Sequence, residues 1–395
     1  MMKKTVKDVD VTGKRVFVRV DFNVPLDNGK ITDETRVQKS LPTINYLREQ
    51  GARVILASHL GRPKGQVKDE FRMVPVKEKL EELLKTSVKK SSENDPSQAE
   101  AAVNSLEDGE VLLLENLRFH PGEEENDEEF ANALASLVDI YVNDAFGAAH
   151  RAHASTHGIT QKISGECVAG LLMAQELKFL GESVDNPERP FVAVIGGAKI
   201  SDKIGVIDRL IETANKVVIG GGMANTFLLA KGYQLGKSLV EEDAIDKAKE
   251  LLKKADNLGV ELMLPKDVVV AEKLEEKVAN KTVKVEEIPE NMMALDIGEE
   301  TINEYSKVIK NGKTVIMNGP MGVFETEPFD HGTVEIAKAM GNSSGTTIVG
   351  GGDSVSAINK AGLEDKITHI STGGGASLKY LEGKPLPGVQ VLQDR

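Results

Sequence analysis

Two doubly wound α/β domains, each a parallel sheet covered by helices and joined by a helical linker, are what this 395-residue sequence predicts. Three observations predict it. Short β-branched runs alternate with helix-length segments of 3.6-residue spacing, the pattern of strand–helix–strand crossovers. Roughly as many such runs precede Pro190 as follow it, and the chain is about 2.6 times a ~150-residue domain, so two sheets fit better than one very wide one. The segment Gly170-Leu-Leu-Met-Ala-Gln-Glu-Leu-Lys-Phe-Leu180 has an amphipathic helical stripe, and Asn186-Pro-Glu-Arg-Pro190 breaks it before the next strand. The predicted organisation is therefore a first domain over 1–169, a helical hinge over 170–190 and a second domain over 191–385.

In chain order, the predicted strands of the first domain are Val16–Val20, Arg53–Ala57, Val111–Leu114 and Ile140–Val142. Those of the second are Phe191–Ile195, Lys216–Ile219, Glu261–Leu264, Thr314–Met317, Thr346–Val349 and His369–Ile370. Most are apolar throughout, as strands covered on both faces are. Helical spacing marks Val74–Leu84, Asp127–Leu137, Glu241–Ala255 and Thr301–Ile309, and the acidic cluster Glu123–Glu129, broken by Asn126, opens a helix.

Composition removes several function classes. Forty-nine Lys and Arg against 62 Asp and Glu leave a net charge of −13, which disfavours nucleic acid and anionic membrane as partners. Any anion must be held by a local cationic site. The single cysteine, Cys167, cannot form an intrachain disulfide, and no apolar signal core follows Met1–Lys4, so a cytoplasmic protein is expected. No apolar run approaches the ~18 residues of a membrane span. With each domain covering its own sheet, a monomer is expected.

Ligands of open α/β sheets bind beyond the carboxyl ends of the strands, so the residues there carry the functional reading. In the first half they are Asp21-Phe-Asn23-Val-Pro25, Ser58-His59-Leu-Gly-Arg62-Pro63, Glu115-Asn-Leu-Arg118-Phe-His120 and Asn143-Asp144, running on to His150-Arg151-Ala-His153. With Arg36, this gathers Arg36, Arg62, Arg118, Arg151, His59, His150 and His153 near one edge, a set suited to a small anion bearing carboxylate or phosphate. Asp21 and Asn23 can cap a turn or accept from a substrate hydroxyl. His150, His153 and His157 have helical spacing, but no Cys pair or His-Glu-x-x-His accompanies them and Arg151 among them would repel a metal.

The second half has glycines at its strand ends instead: Gly196-Gly-Ala-Lys199-Ile-Ser-Asp-Lys203, Gly220-Gly-Gly222, Asn318-Gly-Pro-Met-Gly-Val-Phe-Glu325, Gly350-Gly351-Gly352-Asp353-Ser354 and Ser371-Thr-Gly373-Gly374-Gly375. Glycine lets backbone amides approach a phosphate, and a following helix amino terminus adds partial positive charge, so this is the nucleotide half. For Gly220–Gly222 a tight left-handed turn is an equal reading. Gly232-Tyr-Gln-Leu-Gly236-Lys237-Ser238 has three residues where a P-loop needs four, and no Gly-x-Gly-x-x-Gly follows Ile195 or Ile219. What remains is Lys199 and Lys203 at one strand-to-helix turn. Asp353, at the start of a helix, is placed to meet a Mg²⁺ on the phosphate chain or to act as an N-cap.

Taken together, Asp21-Phe-Asn-Val-Pro25, Ser58-His-Leu-Gly-Arg-Pro63, Glu115-Asn-Leu-Arg-Phe119, Asn143-Asp-Ala-Phe-Gly147, Gly196-Gly-Ala-Lys199, Asn318-Gly-Pro320, Gly351-Gly-Asp-Ser354 and Thr372-Gly-Gly-Gly-Ala376 resemble, in order and over nearly the whole chain, the signature segments of the phosphoglycerate kinases. The resemblance implies transfer of the acyl phosphate of 1,3-bisphosphoglycerate to ADP, giving ATP and 3-phosphoglycerate. It implies that Asp21, Asn23, Arg36, His59, Arg62, Arg118 and Arg151 hold the phosphoglycerate. Lys199, Lys203, Asn318, Glu325 and Gly351, Gly352, Asp353 and Ser354 would hold the nucleotide, with Glu325 on the ribose and Asp353 on Mg²⁺. It further implies that residues 386–395 return to the first domain. Glu290-Asn-Met-Met-Ala294 stands where that family commonly has Gly-Trp-Met, which bears on packing near the adenine.

The reaction has a nucleophile that is already ionised, so no Ser-His or Cys-His pair is needed, and catalysis reduces to in-line positioning and charge neutralisation. Arg36 from the first domain, and Lys199 with the Gly373 and Gly374 amides from the second, are the residues expected to do this; Lys203 and the metal serve the nucleotide phosphates. An NAD-dependent dehydrogenase lacks its fingerprint here, and a polyanion-binding protein runs against the charge of −13.

Overall fold

In the computed structural model, which describes residues 2–395, strand Arg15–Arg19 lies inside a six-stranded sheet whose order is Lys89–Lys90, Val111–Leu113, Arg53–Ala57, Arg15–Arg19, Ile140–Asn143, Cys167–Ala169. Every pairing in it is parallel, with Val18 opposite Leu56 on one side and Val142 on the other. Val16, Phe17 and Val18 are all buried, so both faces are covered. Helix Thr35–Glu49 contributes Val37, Ile44 and Leu47, and helix Val74–Leu84 contributes Val76 and Leu80, to one continuous core. The acidic cluster opens two short helices rather than one. Asn126 ends Gly122–Glu125 in the left-handed conformation at φ +56°, and Asp127 caps Glu128–Ser136 by accepting from the Phe130 amide at 2.8 Å.

A second six-stranded parallel sheet has the order Glu261–Met263, Lys216–Ile219, Phe191–Ile195, Thr314–Asn318, Thr346–Gly350, His369–Ile370. Phe191–Ile195 is buried at all five positions. Amphipathic helices cover it, among them Ile204–Thr213, which buries Val206, Ile207, Leu210 and Ile211, and Glu299–Asn311, whose Tyr305 hydroxyl donates to the Ile219 carbonyl at 2.9 Å. Two features depart from the sequence expectation. The edge strands Lys89–Lys90 and Cys167–Ala169 complete the first sheet, and a separate antiparallel sheet (Asn280–Lys284, Asp267–Ala271, Met293–Ile297) is inserted between Met263 and Thr314. The edge strands have only two and three residues, too few to show a period.

The chain divides into two compact units, one running to Leu177 and taking in Pro385–Arg395, the other Lys178–Lys384. Residues of the C-terminal stretch bond within the first unit: the Gly388 amide donates to the Ala149 carbonyl, and Asn143 Nδ2 donates to the Gly388 carbonyl at 2.9 Å. The connecting segment is not one regular helix. It is α-helical over Leu171–Glu176, widens to a π-helix over Leu177–Glu182 and closes with a short turn at Ser183–Asp185.

Candidate active site

In the first unit the strand ends place charge around one imidazole. His59, just beyond strand Arg53–Ala57, is buried, and its pKa lies well below the usual histidine value because of burial first and then the charges of Arg19, Arg118, Arg36 and Arg151. His153 is held down to about 4, mainly by burial and then by Arg19, Arg118 and Arg151. The imidazoles are therefore neutral polar groups among cations. Arg36, about one-third exposed, donates from Nη1 to Asp21 Oδ2 at 3.0 Å and to the Asn23 carbonyl at 3.3 Å. Asn23 Oδ1 accepts from the Gly61 amide at 2.8 Å, and Arg118, only 4% exposed, donates to the Gly61 carbonyl at 2.9 Å. A single loop corner at Gly61 thus fixes Asn23 and Arg118 relative to each other.

Arg36, Arg118, Arg151 and His59 are consequently brought together, with Asp21 and Asn23 bound to Arg36. Arg151 and Arg62 are exposed, and Arg62 follows Gly61 directly. His150 and His153 couple electrostatically, and His153 Nδ1 lies 3.9 Å from the buried Glu123. Among the described residues no group of three His, Cys, Asp or Glu side chains is placed to hold a metal. Arg19 was not legible as a site residue: it sits inside an apolar-looking strand, yet is 1% exposed and faces His59.

In the second unit the glycine segments and the inserted antiparallel sheet enclose a cavity of about 300 Å³. Gly197, Ala198, Gly221 and Gly222 line one side, Val268, Leu274, Met293 and Ala294 another, and Glu325 and Asp353 also lie on its wall. Val268, Met293 and Ala294 belong to the inserted sheet, so much of the apolar wall comes from strands the sequence pattern did not reveal. Close packing explains the glycines of the floor. A Cβ on Gly196 would lie 1.9 Å from the Pro320 carbonyl oxygen, and Gly221, at φ +69°, would meet Gly197 at 2.6 Å. Of Gly220–Gly222, only Gly221 has a positive φ, and Gly221 and Gly222 line the cavity.

Lys199 and Lys203 take different positions. Lys203 is largely buried, and its ammonium donates to the carbonyls of Gly196 at 2.7 Å and Asn318 at 2.9 Å, joining two adjacent strand ends. Burial lowers its pKa to about 8, opposed by Asp353 and Asp202. Lys199 is exposed. Asn318 is buried, and its Nδ2 has no hydrogen-bond partner among the described residues. Helix Gly352–Lys360 begins after Gly351, which at φ +90° is its N-cap, so Asp353 is not the cap but an exposed carboxylate in the first turn. Ser354 Oγ accepts from the Gly319 amide at 2.6 Å and so ties this helix to the Asn318 loop. Glu325 is exposed at the cavity wall. The Gly373 amide donates to Ser371 Oγ at 3.2 Å, and Gly374, at φ +51°, precedes helix Gly375–Leu381.

Comparison with known proteins agrees with this architecture. Residues 6–384 match the model of the family described as phosphoglycerate kinase. The chain is 56% identical to phosphoglycerate kinase of Moorella thermoacetica and 54% identical to that of Pelotomaculum thermopropionicum, each over the full length of both chains. It superposes on phosphoglycerate kinase from Coxiella burnetii with a TM-score of 0.91 at 41% identity, covering 98% of each chain. For the enzyme from Pyrococcus horikoshii the TM-score is 0.83 at 33% identity, covering 99% of this chain and 98% of that one. Fold and relatives together define a phosphotransferase with a carboxyl-group acceptor. The chain belongs to the phosphoglycerate kinase family, and its reaction is the family's glycolytic one, phosphoryl transfer between 1,3-bisphosphoglycerate and ADP to give 3-phosphoglycerate and ATP.

Proposed function

We propose that the two units divide this reaction between them, the first holding the phosphoglycerate through Asp21, Asn23, Arg36, His59, Arg62, Arg118 and Arg151, the second holding the nucleotide. The observation that carries the first assignment is the convergence of Arg36, Arg118 and Arg151 on His59 in a chain of net charge −13. Such a cluster makes a local positive field that attracts a small anion. In the second unit the apolar cavity wall suits a base and Glu325 the ribose hydroxyls. Lys203, Asn318 and the Gly351, Gly352, Asp353 and Ser354 turn suit the phosphates.

Mg²⁺ fits Asp353. A single exposed carboxylate beside the phosphate-binding turn suits an ion that takes its remaining ligands from phosphate oxygens and water. When bound, the ion offsets phosphate charge. Arg36, at present tethered by Asp21, supplies positive charge at the acyl-phosphate end. Lys199, with the Gly373 and Gly374 amides, receives charge developing on the transferring group. Because the carboxylate and diphosphate nucleophiles are already ionised, none of these residues has to remove a proton.

Since the two substrates bind on different units, transfer requires closure about the connecting segment, and the π-helical stretch Leu177–Glu182 is a natural place for it to bend. We further read the protein as a cytoplasmic monomer that binds neither nucleic acid nor membrane; among the described residues no helix is long and apolar enough to cross a membrane. The test is an assay of 3-phosphoglycerate and MgATP coupled to a dehydrogenase that consumes the acyl phosphate. Turnover abolished by EDTA and restored by Mg²⁺ is expected; turnover indifferent to EDTA overturns the metal assignment.

A further inference from the structure

Beneath the arginine cluster lies a buried charged network that the phosphoglycerate contacts do not use. Arg19 ends the strand Arg15–Arg19 and is 1% exposed; Glu123, Ser155 and Tyr141 beside it are fully buried. Arg19 Nε donates to Ser155 Oγ at 2.8 Å, Nη1 to the Val20 carbonyl, and Nη2 lies 3.2 Å from His59 Nδ1. Ser155 in turn donates to Glu123, from Oγ to Oε1 at 2.6 Å and from its amide to Oε2 at 3.0 Å, and its carbonyl accepts from the Tyr141 hydroxyl at 2.9 Å. Glu123 Oε1 is 4.0 Å from Arg19 Nη2. A buried ion pair adds little net stability compared with apolar residues of the same volume, so this arrangement calls for another reason.

The chemistry of the Arg19–His59 contact supplies one. A guanidinium has five N–H donors, no acceptor, and does not lose its proton. His59 Nδ1 must therefore offer a lone pair to Arg19, which leaves the ring proton on Nε2. We propose that Arg19 is a positioning residue: held by Ser155 and Glu123, it fixes His59 as the Nε2–H tautomer, so that the ring presents an N–H donor to the bound phosphoglycerate. The proposal rests on the reading of His59 as a phosphoglycerate contact. It gives the site a hydrogen-bond donor without a further cation beside Arg36, Arg118 and Arg151, the charged groups that face His59 along with Arg19.

The full chain labelled with ¹⁵N-histidine decides the matter by two-bond ¹H–¹⁵N correlation at pH 7, His59 being assigned among the seven histidines with His59→Ala. Expected is the pattern of a neutral ring protonated at Nε2, changing to a mixture of tautomers in Arg19→Met. Because that variant leaves Glu123 buried without its cation, Arg19→Met/Glu123→Gln is measured beside it. A wild-type His59 protonated at Nδ1, or at both nitrogens, overturns the proposal whether or not the variants fold.

A double-mutant cycle tests the link to substrate. Arg19→Met and His59→Ala should each raise KM for 3-phosphoglycerate about tenfold, as expected for loss of one hydrogen bond to a charged group, and together no more than His59→Ala alone. Effects that multiply to about a hundredfold show that Arg19 does not act through His59 and overturn the proposal. An unchanged KM in His59→Ala removes His59 from the substrate altogether, a failure of the underlying reading that the tautomer spectrum identifies separately.

Discussion

The two units build their sites from different materials. In the first, the proposed site is made of side chains: arginines gather around one buried imidazole, with Arg36 bonded to Asp21 and Arg118 and Asn23 fixed by the Gly61 corner. In the second, the proposed site is made of backbone and shape: glycines bring strand ends within contact of one another, an inserted sheet supplies the apolar wall, and the Lys203 ammonium is tied to two carbonyls. A charge-built site should fail through loss of charge. A backbone-built site should fail through gain of volume.

The largest expected effect breaks the first half of that contrast. Arg36→Ala should lower kcat by about a hundredfold or more, the scale of a lost transition-state donor, with nucleotide KM nearly unchanged, as steady-state kinetics with each substrate varied will show. A kcat near wild type would remove Arg36 from the transferring phosphate. Next in size is a substitution in the second unit that adds one carbon and no charge. A Cβ on Gly352 meets nothing within 4 Å and lies in the first turn of a helix, so Gly352→Ala should fold as well as wild type, or better by up to about 1 kcal/mol. If the phosphates approach this turn as proposed, the carbon stands in their path, and KM for MgATP should rise at least tenfold. Thermal melts unchanged together with unchanged KM would show that Gly352 is conformational rather than a ligand's approach.

Lys203 gives the contrast a pH dependence of known sign. Its ammonium is lost as pH rises through about 8, so kcat/KM for MgATP should fall there by up to tenfold per unit, while kcat, measured with phosphates bound beside the lysine, should hold to higher pH. Stability moves the other way. The unfolded chain keeps the proton up to the ordinary lysine value, so stability should rise with pH from about 8 towards that value as the fold no longer buries a charge. An alkaline limb that persists in Lys203→Met belongs to another group.

The same contrast explains what was legible in the sequence. Strands such as Phe191–Ile195 and Lys216–Ile219, and helix Val74–Leu84, have their predicted bounds because burial on both faces leaves an unbroken apolar run and burial along one stripe leaves a helical period. The arginines stood out because charge at a strand end is unusual. The inserted sheet did not: Asn280–Lys284 is polar and largely exposed, and Met293–Ile297 follows a turn with no helix to mark a crossover. Arg19 was hidden because it falls between Val18 and Val20 inside the predicted strand Val16–Val20 rather than beyond its end, and only three-dimensional contact with His59, Ser155 and Glu123 makes it a buried cation. Neither could sequence spacing show that Lys203 turns inward while Lys199, four residues earlier, stays exposed.

The smallest expected effect sharpens the contrast at the point where the two designs meet, a charged side chain on an apolar cavity. Glu325 is exposed on the wall and should contribute one or two hydrogen bonds to ribose hydroxyls, in a position water can also occupy. Glu325→Gln keeps the acceptor oxygen and loses only the charge, so KM for MgATP should rise no more than about threefold, whereas Glu325→Ala removes the acceptor and should raise it about tenfold. Arg118→Ala offers the matching measurement in the first unit, with KM for 3-phosphoglycerate rising and kcat changing little. If Glu325→Gln proves as damaging as Glu325→Ala, charge matters in the nucleotide site as it does in the anion site, and the division between a charge-built unit and a backbone-built one is weaker than their glycines and arginines suggest.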